Sequence, residues 1–419
     1  MSKGRHMLFA LVVVVQVVSS MAFGAEERLV PMLGQTHKVR IDTLDDCVQD
    51  VRLGFLATEW VGICSDPPSF YFYQRGKHLS FEREGTRVFV KTDGGARQLG
   101  VMLVDTPQDT RVLVEALDAQ MEVPTICCGA DALGSLPRLP ARQATALAVV
   151  APGACDLRPL SQQAGLHALK VWSPMGKGDL RPLSALTNLQ SLDLTGCSRV
   201  SDLTPLLGLG HLRHLSLWGC VAVRDLSALA ELSSLERLDL TGCTRVESLS
   251  PLERLRGMAW LRLTHCGEVR NLVPLRRLER LSMLFLGGCS EISDLSSLSA
   301  LRRLTFLELW GCRGIRSLEA LEGLSSLSHL NLRGCKQIED LSPLSNLHRV
   351  SYLSLAECPK VSDLSPLKEL RSLSWVVLNG CDGVTDLTPL RAAIRRGANI
   401  SVDERLMAQL AALRRRKGE

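Results

Sequence analysis

Leu235-Glu236-Arg237-Leu238-Asp239-Leu240-Thr241-Gly242-Cys243-Thr244-Arg245-Val246-Glu247-Ser248-Leu249-Ser250-Pro251-Leu252-Glu253-Arg254-Leu255 holds two hydrophobic periods in one short stretch. Leu238 and Leu240 alternate with Arg237, Asp239 and Thr241, the period of two that marks a strand with one buried face. Leu249, Leu252 and Leu255 follow at threefold spacing, which suits a short, tight helical turn. Gly242-Cys243 stands between the two, where the chain has to bend inward. Ser250-Pro251 reads as the start of the helical turn, with the hydroxyl capping it and proline in the first position, where a missing N–H costs nothing. Thr204-Pro205, Ser342-Pro343, Ser365-Pro366 and Thr388-Pro389 repeat that signal.

The stretch is one copy of many. Cys197, Cys220, Cys243, Cys266, Cys289, Cys312, Cys335, Cys358 and Cys381 recur every 23 residues without a break. So regular a period means one supersecondary unit stacked on itself, each copy burying its neighbour's leucines. Equivalent residues of stacked strands lie about 4.8 Å apart. Parallel side chains keep their Cβ atoms near that spacing, whereas a disulfide needs about 3.8 Å. The nine cysteines are therefore expected to be structural: reduced, buried, and weakly hydrogen-bonded to the turn backbone. The register extends toward the N-terminus through Asp156-Leu157-Arg158-Pro159-Leu160 and Asp179-Leu180-Arg181-Pro182-Leu183, with Ala151 and Pro174 in the cysteine's place. These read as degenerate leading units.

The pattern L-x-x-L-x-L-x-G-C-x-x-V-x-D-L-S-P-L-x-x-L, running from residue 189 to about 390, resembles that of leucine-rich repeat proteins. Its second half, as in Asp340-Leu341-Ser342-Pro343-Leu344 and Asp363-Leu364-Ser365-Pro366-Leu367, is similar to the internalin-type repeats of bacterial surface proteins. Each unit here is one residue longer, and cysteine stands where that class usually has asparagine. Cysteine at that place is familiar from other leucine-rich repeat classes, so the departure weakens the functional analogy and not the fold. The resemblance implies an α/β solenoid, a horseshoe with short parallel strands on its concave face and short helical turns on its convex face.

Around the solenoid, expected over 145–398, the chain divides further. Lys3 and Arg5, the apolar run Leu8 to Val18 and the small residues Ala22-Phe23-Gly24 read as a signal peptide over 1–24, with the mature chain starting near Ala25. The run is shorter than the roughly 20 residues a spanning helix needs. The expected location is secreted, periplasmic or at the cell surface, with membrane attachment only if that segment is retained. Residues 25–144 carry no repeat and read as a small α+β domain covering the N-terminal end of the solenoid. Strands are expected near 71–73, 87–91 and 100–104, and a helix from Thr106 to about Gln120. Cys47 and Cys64 could pair with each other, while Cys127, Cys128 and Cys155 have no assigned state. Over 399–419 a last strand, Asn399 to Val402, and a capping helix are expected. Ser401 and Glu404 have capping-box spacing, and Leu406, Leu410 and Leu413 form the helix's apolar stripe.

Composition excludes some functions. A formal charge of +5 on 93 charged groups is nearly balanced, unlike a nucleic-acid binder with its concentrated basic face. No phosphate loop, nucleophile elbow or zinc-protease helix appears, so no enzyme, cofactor or metal is expected. The column Asp156, Asp179, Asp202, Asp225, Asp294, Asp340, Asp363 and Asp386 could in principle hold Ca²⁺. Ser248, Asn271 and Ser317 fill the same position, however, and all these residues suit bonding to nearby turn backbone, which is the expected role.

The aromatic residues after position 150 all fall on outward strand positions: Trp172, Trp218, Trp260, Phe285, Phe306, Trp310, Tyr352 and Trp375. Strands favour aromatics in any case. Bulky exposed groups on several adjacent units are nevertheless unusual on a soluble monomer and mark contact surfaces. With the interleaved Arg237, Asp239, Arg262 and Glu308 they are expected to bind a protein partner along the concave face, or as a second class a glycan. The expected centre is Trp260, Phe285, Phe306 and Trp310, with Tyr352 and Trp375 set apart by His329.

Overall fold

The computed structural model describes residues 133–138, 155–172 and 177–415, together with strand courses between 62 and 150. Those courses include Phe70–Gln74, Arg87–Thr92 and Gly95–Val104. The segment 1–24, Cys47, Cys64, the expected helix after Thr106, Ala151 and Pro174 lie outside the described residues, as do the side chains of Cys127 and Cys128. The chain forms two compact units, Met1–Lys177 with Arg181–Leu192, and Gly178–Leu180 with Asp193–Glu419. Twelve short strands of the repeat region alternate with 3-10 turns.

In the first unit, Ala144–Val150 and Ala168–Trp172 pair in parallel, Ala146 opposite Ala168 and Val150 opposite Trp172. The turns Arg158–Gln162 and Arg181–Ala185 bury Leu160 and Leu183, beside Leu166, Leu169, Leu186 and Leu189. These are the degenerate leading units; they keep the leucines without the cysteine.

The second unit carries nine parallel three-residue strands: β1 (His214–Ser216), β2 (Arg237–Asp239), β3 (Trp260–Arg262), β4 (Met283–Phe285), β5 (Phe306–Glu308), β6 (His329–Asn331), β7 (Tyr352–Ser354), β8 (Trp375–Val377) and β9 (Asn399–Ser401). From β1 to β8 every residue pairs with the one 23 further on, as His214 with Arg237 and Tyr352 with Trp375. Between strands the chain runs through 3-10 turns such as Ser250–Arg254. The tight turn follows from the threefold leucine spacing, which puts Leu249, Leu252 and Leu255 on one side, each at most 1% exposed. Leu238, Leu240, Cys243 and Val246, all at 0%, complete the layer. Burying each such leucine is worth about 1.5–3 kcal/mol, and this repeated term holds the stack together.

The ladder cysteines take part in that packing and add a bond between units. From Cys220 to Cys381 each Sγ–H donates to the carbonyl 26 residues earlier, at 2.9–3.2 Å. The acceptor is an inward residue just past the preceding unit's strand, Leu263 for Cys289 and Leu355 for Cys381. Burial pushes the thiols of Cys243, Cys289 and Cys358 up to about 12 and that of Cys381 to about 11, so they remain protonated donors. A second ladder of hydroxyls lies just before the strands. Ser282, Thr305, Ser328, Ser351 and Ser374 each donate to a carbonyl 23 residues earlier, at 2.9–3.1 Å.

The aspartate column holds the turns. The carboxylates of Asp202, Asp225, Asp294, Asp340, Asp363 and Asp386 each accept the N–H two residues on, at 2.8–2.9 Å. Asn271, Ser248 and Ser317 do the same for Val273, Ser250 and Glu319. This corrects one expectation. The serine or threonine before proline is not the cap, because the turn already includes it as its first residue and the capping position falls on a leucine with no side-chain bond, as at Leu249. The residue two back satisfies the open N–H instead, and in several units the hydroxyl merely donates to that aspartate, as Ser227 to Asp225.

At the far end, α1 (Arg391–Arg395) follows the last 3-10 turn. It lengthens the unit by one residue, so Trp375 pairs with Asn399, 24 positions on. The helix α2 (Glu404–Arg415) buries Leu406, Leu410 and Leu413, with Arg414 and Arg415 in its last turn. Arg405 donates to the carbonyls of Val384 and Cys381, and the Gln409 side chain accepts the N–H of Leu387 at 2.8 Å. No capping box forms here. Ser401 is the last residue of β9 and donates to Asn379, while Asp403, directly before the helix, accepts the N–H of Gly380.

Candidate functional site

Each strand of the second unit buries its middle residue and turns the flanking ones outward, a pattern seen directly in Trp260-Leu261-Arg262 and Phe306-Leu307-Glu308. Parallel pairing lines these outward residues up into columns. Trp260 lies opposite Met283, then come Phe306, His329, Tyr352 and Trp375, while Arg262 lies opposite Phe285 and then Glu308. Trp218 and Trp310 stand two residues beyond strand residues Ser216 and Glu308. Trp172 belongs to the first unit, as the last residue of its strand.

The rings do not stand apart. Trp260 and Phe285 have centroids 5.4 Å apart, Phe285 and Phe306 4.9 Å, Phe306 and His329 3.8 Å, and His329 and Tyr352 4.2 Å. The last two pairs are stacked, with interplanar angles of 9° and 4°. His329 therefore joins Tyr352 to the aromatic run, where the sequence pattern places it as a separator. Mutual contact also leaves Trp260, Phe285, Phe306, Trp310 and Tyr352 half-buried; Trp375 is the exposed one, at 36%.

The charged residues are engaged within the face itself. The Arg262 guanidinium lies 4.8 Å from the Trp260 ring and 4.5 Å from the Phe285 ring, a cation–π sandwich, and 3.7 Å from Asp239. Asp239 is buried and accepts the Thr241 N–H at 2.8 Å; burial pushes its carboxyl up against the opposing pull of Arg262. Glu308 accepts from Asn331 at 2.7 Å and contacts His329 Nε2 at 3.0 Å. Arg333 is bound to Glu357 at 2.6 Å. Arg237 is exposed and sits in register beside Trp260.

Trp310 has its own setting. A side chain at Gly287 would meet the indole Nε1 at 2.1 Å, so the ring lies over that glycine and reaches His265, edge to face at 5.1 Å. His265 itself is unusual. The residue before each ladder cysteine takes a left-handed backbone, and Gly196, Gly219, Gly242, Gly288, Gly311, Gly334 and Gly380 do so with φ of 71–77°. His265 and Glu357 hold the same turn at φ 61° and 58°, which costs a residue with a side chain about 1–2 kcal/mol. The signal was present in the sequence as two breaks in the Gly-Cys pairing, His265-Cys266 and Glu357-Cys358.

Among the described residues no group of three His, Cys, Asp or Glu side chains could hold a metal ion, and no helix is long and apolar enough to cross a membrane. An open depression of about 300 Å³ lies among turn residues Ser250, Glu253, Arg254, Arg256 and Arg277. Two of its arginines are taken up by Glu231 and Glu253.

A family profile described as leucine-rich repeats in two copies matches residues 302–346, two of the units whose strands, turns and buried leucines are described above. That match identifies residues 302–346 as leucine-rich repeats, and the same strand-and-turn unit continues on either side of them. Among solved leucine-rich repeat structures, the internalin inlF of Listeria monocytogenes is 24% identical over 58% of this chain and 82% of its own, with a TM-score of 0.44. Internalin C2 of the same bacterium is 29% identical over 46% of this chain and 73% of its own, with a TM-score of 0.35. The functional domain of its InlJ, described as including a cysteine ladder, is 15% identical over 67% of this chain and 63% of its own, with a TM-score of 0.43. No curated protein sequence matches this leucine-rich repeat chain.

Proposed function

We propose that this is an exported, non-catalytic recognition protein that binds a protein partner on the strand face of its leucine-rich repeats. The observation that carries the reading is the continuous aromatic run from Trp260 through Phe285, Phe306 and His329 to Tyr352, with Arg262 set against its first two rings. Large amphipathic side chains and arginine are what binding hot spots are made of, and a run already packed against itself loses little side-chain entropy when a partner arrives. The stacking also favours a protein over a glycan. Phe306, His329 and Tyr352 cover one another's faces and present ring edges outward, whereas a sugar packs on an open aromatic face.

Export rests on the signal-like residues 1–24, and N-terminal sequencing of the exported chain should begin near Ala25; an intact Met1 in a membrane fraction would mean an anchored surface component instead. The binding reading is tested by crosslinking the purified chain in an extract, identifying what it captures, and measuring affinity for that protein. Trp260→Ala, Phe306→Ala and Trp310→Ala should each cost about 2 kcal/mol of binding. Arg276→Ala and Arg302→Ala, on the turn side, should change nothing. The reverse pattern refutes the reading. A nucleophile and base found together in 25–144 would move the function to that region, with the repeats as a targeting module.

A further inference from the structure

The turn leading into each strand is where charge is least shared. It reads Arg256-Gly257, Glu279-Arg280 and Arg302-Arg303 in three successive units, and every arginine in it is exposed. Arg276, on the 3-10 turn just ahead of Glu279, is exposed as well. Among the described residues, ion pairs join Arg213 to Glu236, Arg254 to Glu231 and Arg277 to Glu253, but none reaches Arg256, Arg276, Arg280, Arg302 or Arg303. Glu279 is the one carboxylate set among them, and it forms no ion pair either.

The register brings like charges together. Met283 pairs with Phe306, so Arg280 and Arg303, each three residues ahead, hold equivalent places about 4.8 Å apart. Guanidinium groups in neighbouring turns repel, and alternating sign would relieve this, as Glu231 and Arg254 do 23 residues apart. The near-neutral total of the chain therefore conceals a local excess of positive charge.

The extent and density of this band narrow what fits it. It spans two repeat intervals, about 10 Å. An extended acidic peptide turns a side chain to one face every two residues, about 6.7 Å, and brings only about two carboxylates across that width. The arginines of the band call for a denser anion. One unit past Arg303, the same turn reads Ser325-Ser326, with exposed Glu319 and Glu322 ahead of it. A nucleic-acid duplex, about 12 Å across its major groove alone, would overlie those carboxylates. The band also has no aromatic side chain for single-stranded bases to stack on. A membrane contact buries a broad apolar face, and here Val273 alone is an exposed large apolar residue. A thin sugar chain carrying several sulfate groups meets both density and width, since oxyanions fit the planar fork of arginine. The depression beside Arg256 gives one such group a recess, and Glu253 in its lining is already held by Arg277.

We infer that the band of Arg256, Arg276, Arg280, Arg302 and Arg303 binds a sulfated polysaccharide, at a site separate from the strand face.

The probe is a size-defined heparin oligosaccharide titrated into the full chain at physiological ionic strength. Its desulfated form, a DNA duplex of equal charge and vesicles rich in phosphatidylserine are run beside it. The sulfated probe should bind and the desulfated one should not. Arg280→Ala/Arg303→Ala should weaken binding by about tenfold or more, without lowering the melting temperature, because the two charges repel. Glu279→Gln should strengthen it. Arg245→Ala/Arg313→Ala removes the same charge from exposed turns after the strands and should change nothing, as should Trp260→Ala on the strand face. The proposal falls if heparin does not bind, or if the DNA duplex or the vesicles bind as tightly. Equal loss from the two arginine pairs overturns it, since attraction would then follow overall charge. Loss on Trp260→Ala overturns it by placing the sugar on the strand face, while leaving that face a binding surface. Glu279→Gln without a gain overturns it too, and reads the site even should the arginine pair prove needed for folding.

Discussion

Replacing one ladder cysteine separates the two things it does. Cys289 is fully buried, and its thiol donates to the Leu263 carbonyl at 3.0 Å. That same carbonyl also accepts the Cys266 N–H at 3.0 Å, so removing the thiol does not leave it unsatisfied. Cys289→Ala therefore loses the burial of a group about the size of a methylene, about 0.8 kcal/mol, and a hydrogen bond worth about 0.5–1.5 kcal/mol net. The bond's share should sit at the low end because the acceptor keeps a partner, for a total of about 1–2 kcal/mol. Cys289→Ser restores a donor, but a shorter one in an apolar layer, and a poorly partnered buried hydroxyl costs about 1–3 kcal/mol. Serine should therefore be no better than alanine. Urea unfolding of the three proteins, compared through their midpoints at a common slope, measures this. A serine variant as stable as the parent, with alanine well below it, would refute the reasoning and make the hydrogen bond the reason for the cysteine.

The buried ladder thiols should resist a thiol reagent in the native state and all react on unfolding, with Cys381 near the end opening before central ones such as Cys289; fast native labelling of Cys243 to Cys335 would contradict the packing. The folded-state carboxyls of Asp202, Asp225, Asp294, Asp363 and Asp386 are lowered by the side-chain and backbone bonds of the residue two positions on. Their contribution is thus present above the ordinary carboxylate range near 4 and is lost as pH falls below it, so the melting temperature should drop between about pH 5 and 3. Asp225→Ser, which gives this unit the residue its neighbour carries at Ser248, should flatten that drop, and an unchanged acid profile would show that these bonds contribute nothing. Deleting 400–419 uncovers the leucines under α2 and the edge of β8, which should promote aggregation detectable by light scattering; a truncated chain that stays monomeric and equally stable would show that the helix is dispensable.

Much of this fold can be read from a single unit, because period two and period three are forced by burial and both recur without interruption. Leu238 and Leu240 on a strand and Leu249, Leu252 and Leu255 on a turn need no tertiary information. Pattern and structure part where two polar groups compete for one backbone N–H. Ser250 and Ser401 both carry cap-like patterns, yet the first N–H is claimed by the residue two back, and the second hydroxyl is drawn to Asn379. At the candidate site, the columns of outward residues were legible from spacing, but what the side chains do to one another was not. His329 reads as a polar interruption because a hydrophobicity pattern does not record that an imidazole can stack between Phe306 and Tyr352. Arg262 and Glu308 read as charges offered to a partner, whereas Asp239, His329 and Asn331 already hold them. These contacts depend on ring orientation and rotamer, which the period of the repeat leaves undetermined.

The slip from 23 to 24 at Trp375 and Asn399 makes the last unit different in kind from those before it. Inner units are interchangeable modules: one can be duplicated or lost in the gene and its neighbours still meet in register. The module containing α1 and α2 cannot be copied inward without breaking the count. Changes in array length among related chains should therefore be multiples of 23 residues inserted upstream of Trp375, with the distance from Trp375 to the end of α2 held constant.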